Sequence, residues 1–171
     1  LLNLMAKLPK APFPELTFPE IYETLEKRGH ALARGEDLDR ESEKLLVEYV
    51  KEKFDSDFFF VNRFPWKVKP FYVMRADEQP QFARSVDLLY KGVELSSGGQ
   101  REHRYSKLVE QVKEKGVDSE GIRWFTDAFM YGVPPHGGFS FGIERFTAMF
   151  LGLGSVKEAA LFPRDPERLQ P

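Results

Sequence analysis

Two stretches decide how this 171-residue chain is read: Glu94-Leu95-Ser96-Ser97-Gly98-Gly99-Gln100-Arg101 and Pro134-Pro135-His136-Gly137-Gly138-Phe139-Ser140-Phe141-Gly142-Ile143-Glu144-Arg145. On a strand, Glu94 and Ser96 point one way and Leu95 and Ser97 the other. Glu94 and Ser97 can therefore share a ligand only if the strand bends or bulges near the serines. Gly98 and Gly99 supply that freedom. Such a strand end offers a carboxylate and a hydroxyl to a hard cation, and Arg101 just beyond offers a planar fork to a carboxylate or phosphate. A Gly-Gly turn closing a strand among solvated polar neighbours explains the same spacing. In the second stretch, glycines at alternating strand positions would strip one face of side chains and let a flat ring lie on bare backbone. Arg145, in the first turn of the helix that follows, would stack on or pair with that ring. The competing account is close strand packing with Arg145 in a surface ion pair. No Lys-Ser or Lys-Thr follows the glycines and no dinucleotide fingerprint is present, so neither familiar phosphate-cradling loop applies.

Outward from these stretches, local patterns lay out the remaining elements. Thr17 and Glu20 form a capping-box pattern ahead of Ile21, Tyr22 and Leu25, predicting a helix that stops at Gly29. Asp39 precedes a second helix with Leu45, Leu46, Tyr49 and Val50 on one side. Short runs rich in aromatic and β-branched residues predict strands at 58–62, 70–75, 82–89 and 92–96. Helices are predicted over 101–115 and from Asp118 to Gly132, the latter with Ile122, Phe125 and Phe129 inward. A strand over 137–142 then runs into a helix, and the chain closes on another short helix and 161–163. Helices, then strands, then helices favour an α+β fold with an antiparallel sheet over a doubly wound parallel one. Leu1, Leu4 and Met5 read as the end of an amphipathic helix already under way, as if the chain began mid-protein.

Composition narrows the function classes. With 42% hydrophobic and 14% aromatic residues, the chain can bury a sizeable core as one domain or a large part of one. A formal net charge of −2 lacks the strongly basic field of a chain that grips a nucleic-acid backbone unaided. Absence of cysteine excludes disulfides and thiolate metal sites. No apolar run approaches a membrane span and no secretory pattern opens the chain, so the expectation is a cytoplasmic protein without a membrane partner.

The stretch Gly137 to Arg145 resembles motif 3 of the class II aminoacyl-tRNA synthetases. The Glu94 to Arg101 run resembles the strand preceding that motif in the aspartate, asparagine and lysine subgroup. Within the subgroup, Ser96 to Arg104, Pro134 to Gly138 and the closing Phe162-Pro163-Arg164-Asp165 are most similar to archaeal-type aspartyl enzymes, and Arg168 to Pro171 matches where those enzymes stop. The resemblance implies ATP-dependent activation of aspartate and its attachment to tRNA. In it, Glu94 contacts ATP and Mg²⁺, Ser97 contacts Mg²⁺ and the amino acid, and Arg101 binds aspartate. Gly142, Ile143, Glu144 and Arg145 line the ATP site. Catalysis is then expected from Arg145, Arg101 and Glu94, by positioning and charge neutralisation without a protein nucleophile. Motif 1, which builds the family's homodimer interface, and motif 2, whose arginine holds the α-phosphate, are not found in residues 1–171, nor is the anticodon-reading barrel. The expectation is a C-terminal part of the catalytic domain, inactive alone. Alternatives are an asparaginyl-tRNA synthetase, a paralogue that activates aspartate to make asparagine, and a non-catalytic remnant that binds nucleotide or a partner.

Other polar and aromatic residues carry weaker signals. His30 sits at a helix end, where it complements the dipole. His103 and Arg104 open a helix beside the candidate site, and His136 is either a wall contact or turn structure. The three histidines share no metal-ligand spacing. Trp66, Phe71, Tyr72, Trp124 and Phe125 read as core, and Lys69 and Asp87 as second-line site residues on strands of the sheet.

Overall fold

A computed structural model describes residues 9 and 11–170; Leu1, Leu4 and Met5, with their predicted helix end, lie outside the described residues. Five strands form one sheet in the order β1 (Glu15–Thr17), β2 (Phe58–Asn62), β3 (Ser85–Tyr90), β4 (Val93–Gln100) and β5 (Gly137–Phe141). Strands β2 to β5 are antiparallel neighbours, and β1 lies parallel to β2 at one edge. Helices α1 (Phe18–Lys27), α2 (Arg40–Phe54), α3 (Tyr105–Glu114), α4 (Arg123–Thr126) and α5 (Ile143–Leu151) complete the expected α+β architecture.

The core follows from register. Cross-strand partners share a face, so Phe59 opposite Leu89 and Leu16 opposite Val61 put four apolar side chains on one side of the sheet. That face packs on Phe18, Ile21, Tyr22 and Leu25 of α1 and on Leu46 and Val50 of α2. Helix α1 buries positions i, i+3, i+4 and i+7, one continuous stripe. Asp39 caps α2 by accepting a 2.7 Å hydrogen bond from the Ser42 amide, and this bond holds its carboxyl below the ordinary aspartate range.

Several local expectations are corrected. Thr17 makes no side-chain cap; it ends β1 in register with Asn62, and Pro19, with its fixed φ, sits in the first turn of α1 as its second residue. Residues 70–75 are not a strand: Val73 donates to the Pro70 carbonyl in a turn, and only Val73 and Arg75 form isolated bridges, to Arg101 and Ala83. Strand β3 starts at Ser85, with Phe82 and Ala83 in isolated bridges before it. Strand β4 runs through both glycines to Gln100 because they pair with β3 on one side and β5 on the other, so no Gly-Gly turn exists. Helix α3 begins at Tyr105, not Arg101. Asp118 accepts from the Glu120 amide in a local turn; α4 starts only at Arg123 and passes into a 3-10 turn at Asp127–Tyr131. Trp124, read as core, is 80% exposed.

Candidate active site

The bulge that Glu94 and Ser97 require is present. Leu88 pairs with Ser96 and Leu89 with Glu94, leaving Leu95 as the extra residue. Ser97 then faces Asp87, and since Asp87 and Leu89 are two apart on β3, Glu94 and Ser97 project from the same face. The buried Leu95 carbonyl accepts a 2.7 Å hydrogen bond from the Gly142 amide, so the bulge and the start of α5 are tied together. Through this tie Arg145 reaches β4, where its Nη1 donates to the Glu94 carbonyl at 2.9 Å and to Glu94 Oε1 at 3.2 Å. Both side chains are about half exposed, at 52% and 45%, so this is the surface ion pair of the competing account and adds little stability. It does bring together two of the five residues expected at ATP, Glu94 and Arg145. Ile143 and Glu144 lie exposed in the first turn of α5.

The glycines serve close approach more than a bare ring face. A Cβ on Gly98 would lie 2.6 Å from the Gly138 carbonyl oxygen and from Phe139 Cβ, and one on Gly99 would lie 2.6 Å from the Arg84 carbonyl oxygen. Gly137 and Gly138 are adjacent, so they point to opposite faces, and Gly142 follows the strand as the residue before α5. The alternating clearance expected from sequence is therefore not what β5 provides. Gly138 alone borders Arg101, where a Cβ would sit 3.6 Å from Nη2.

Arg101 follows β4, its amide held by the His136 carbonyl at 2.9 Å and its guanidinium carbon 4.7 Å above the Tyr72 ring. Among the described residues its guanidinium donates no hydrogen bond and has no carboxylate partner, in contrast to Arg63, Arg75, Arg84, Arg104 and Arg145. It borders a cavity of about 330 Å³ with Tyr72, Glu102, Phe125, Phe129 and His136. Five free donors and a retained positive charge at a pocket of that size suit a small anion. His136 is thus a wall residue, and its Nδ1 lies 2.9 Å from the Pro134 carbonyl oxygen as well. His30 bonds Asp39 through Nε2, and His103 leaves a buried Nδ1 unpartnered.

Asp87 and Lys69 contribute more than their sequence signal suggested. Lys69 is not on a strand but follows the 3-10 turn at Trp66–Val68. Its Nζ lies 3.1 Å from Asp87 Oδ2 and 3.6 Å from the Phe64 ring centre, and the two charged side chains are only 14% and 6% exposed. Among the described residues, Asp87 Oδ1 is buried without a hydrogen-bond partner. A buried carboxylate with an unused oxygen, on the face that carries Glu94 and Ser97, fits a hard cation held by oxygen donors. Among the described residues no three acidic, histidine or cysteine side chains form a complete cage, so remaining ligands would have to come from substrate and water. Glu43 of α2 senses the same region: burial pushes its carboxyl up, and the charges of Asp37 and Glu94 add to the effect.

The sequence pattern shared by tRNA synthetases class II (D, K and N) matches residues 3–166. The chain belongs to this family. It is 48% identical over 163 residues to the aspartate–tRNA(Asp) ligase of Pyrococcus furiosus, a match covering 95% of this chain and 37% of that protein. The aspartyl tRNA synthetase structure from Entamoeba histolytica superposes with a TM-score of 0.90 at 36% identity, covering 96% of this chain and 34% of that one. An asparaginyl-tRNA synthetase from Pyrococcus horikoshii, complexed with asparaginyl-adenylate, matches with a TM-score of 0.84, also at 36% identity, over 95% of this chain and 37% of that one. The chain thus spans little more than a third of the length of these synthetases. Among its described residues no helix is long and apolar enough to cross a membrane.

Proposed function

We propose that this chain is the C-terminal part of the catalytic domain of an aspartate–tRNA ligase, which activates aspartate with ATP and transfers it to tRNA. The observation that carries the reading is Arg101: a guanidinium with every donor free among the described residues, beside a small pocket, in a chain whose other site arginine is already paired. A cation that cannot lose its proton selects a carboxylate side chain over the isosteric amide of asparagine. In the reaction an oxygen of the aspartate α-carboxylate bonds to the α-phosphorus of ATP, the bond to the bridging oxygen breaks, and pyrophosphate leaves. Glu94, Ser97 and Asp87 would hold Mg²⁺, which when bound neutralises phosphate charge. Arg145 would release Glu94 to that ion and turn its guanidinium to ATP, lined by Gly142, Ile143 and Glu144. The α-phosphate arginine of motif 2, the homodimer interface of motif 1 and the anticodon-reading domain would come from outside residues 1–171. Transfer to tRNA would therefore require the longer protein.

The direct test is pyrophosphate exchange by the full-length protein with each amino acid alone. Aspartate should drive exchange and asparagine should not. Preference for asparagine would favour the second reading, an asparaginyl enzyme, which the P. horikoshii likeness keeps in view.

A further inference from the structure

We infer that Tyr72 is a positioning residue for Arg101, setting the plane of the guanidinium that receives the substrate's side-chain carboxylate; this rests on the role proposed above for Arg101. An arginine can be held in place by an acid, but an acid neutralises it and occupies its donors. Arg28 and Arg75 also stack on rings, of Tyr49 and Trp66, yet each is additionally tied to a glutamate, Glu52 and Glu114 respectively. Arg34 over Tyr22 has no acid, at 5.2 Å from the ring centre, but among the described residues Arg101 combines a free fork, the Tyr72 face 4.7 Å from its guanidinium carbon and a cavity that both line. A ring orients the cation through its quadrupole and leaves the in-plane N–H donors directed outward.

Tyr72, read as core from the sequence, is 37% exposed, but the backbone that carries its ring is fixed. Buried Gln111 of α3 donates its side-chain amide to the carbonyls on either side of Tyr72, at 2.6 Å to Phe71 and 3.1 Å to Val73. The Tyr72 carbonyl accepts from the Glu102 amide at 3.0 Å, and Val73 bridges to Arg101, so ring and cation hang from one short stretch of paired backbone. Phe71 meets the Tyr72 ring edge-on at 5.4 Å. The anionic substrate would therefore meet a charge already oriented, with no competing carboxylate to displace.

The test uses the full-length protein and three variants, Tyr72→Leu, Tyr72→Phe and Arg101→Leu, in aspartate-dependent pyrophosphate exchange. Tyr72→Leu should raise KM for aspartate roughly tenfold, within the range of a lost partly desolvated cation–π contact, and leave KM for ATP and kcat within about twofold. Tyr72→Phe keeps the ring and should restore wild-type KM. A Tyr72→Leu enzyme with unchanged KM for aspartate, or with both substrates affected equally, overturns the inference. So does a Phe variant that fails as badly as Leu. Wild-type aspartate KM in Arg101→Leu would instead overturn the role of Arg101, so the two failures are told apart.

Discussion

Both ends of the sheet carry large apolar side chains, and these end up in opposite surroundings. From Leu16 to Leu89 the apolar residues of β1, α1, α2, β2 and β3 interlock in one core with Phe18, Leu25, Val50 and Phe59 at most 1% exposed. At the β5 end, Trp124, Tyr131, Phe139, Ile143 and Leu161 are between 68% and 89% exposed. Large apolar side chains left this exposed are candidates for burial against another surface, and the chain spans little more than a third of the synthetases it resembles. The difference teaches that a hydrophobic pattern names a face that wants covering, without naming what covers it. The first end finds its cover within residues 16–89; the second, on the reading proposed here, finds it in the rest of the protein.

The sharpest way to break this contrast is to ask the 171-residue polypeptide for activity alone. The expected outcome is no detectable aspartyl-adenylate, against normal formation by the longer protein. Loss of one preorganised charge donor alone costs on the order of 100-fold to 1,000-fold in rate, and on the proposed reading the α-phosphate arginine lies outside residues 1–171. Robust exchange by the short polypeptide with no second chain present would refute the division of the site.

Stability measurements by denaturant titration rank the two ends. Phe59→Ala, at the covered end, should cost about 3–5 kcal/mol, while Trp124→Ser in the same chain should change stability by less than about 0.5 kcal/mol. Equal costs would mean that Trp124 is buried in solution. Between the ends lies the fork of Arg104, which donates to Glu102 and to Asp77. Glu102 is buried, which pushes its carboxyl up, but the hydrogen bonds and charge of Arg104 outweigh burial and hold it below the ordinary glutamate range. Arg104→Met should cost about 3 kcal/mol near neutral pH by stranding that carboxylate. A depressed carboxyl contributes stability above its unfolded pKa and loses it as pH falls through the folded value. The gap between variant and wild type should therefore narrow below about pH 4, near the reference glutamate value. A pH-independent gap would assign the cost to packing. Among the variants expected to lose stability the α2 cap loses least: Asp39→Ala should cost about 1 kcal/mol, and Thr17→Ala close to nothing as a cap, checked by thermal unfolding of each.

These cases also show what was legible in the sequence. Asp39 and Thr17 carry the same kind of capping signal; Asp39 caps, while Thr17 is taken by a three-residue strand too short to show period-two alternation. The need for a bulge between Glu94 and Ser97 followed from alternation alone, and Leu95 supplies it. The extension of β4 through Gly98 and Gly99 did not, because only the close approach of β3 and β5 makes glycine a strand residue there. Asp87 was readable as a polar residue between Ser85 and Leu89 on an inward face, but its free oxygen depends on where Lys69 arrives from a distant turn. Tyr72 looked like core because stacking on Arg101 is a tertiary contact without sequence periodicity.

On the proposed function, Arg101 stays unpaired so that it can receive the substrate's carboxylate. The most direct test of this role is aspartate-dependent pyrophosphate exchange by the full-length protein carrying Arg101→Leu, with ATP binding measured in parallel by calorimetry. The account predicts a fall in kcat/KM for aspartate of roughly 100-fold or more, about 3 kcal/mol for removing the partner of a desolvated charge, with ATP affinity unchanged. Unaltered aspartate kinetics in that variant would remove Arg101 from the site and contradict the account.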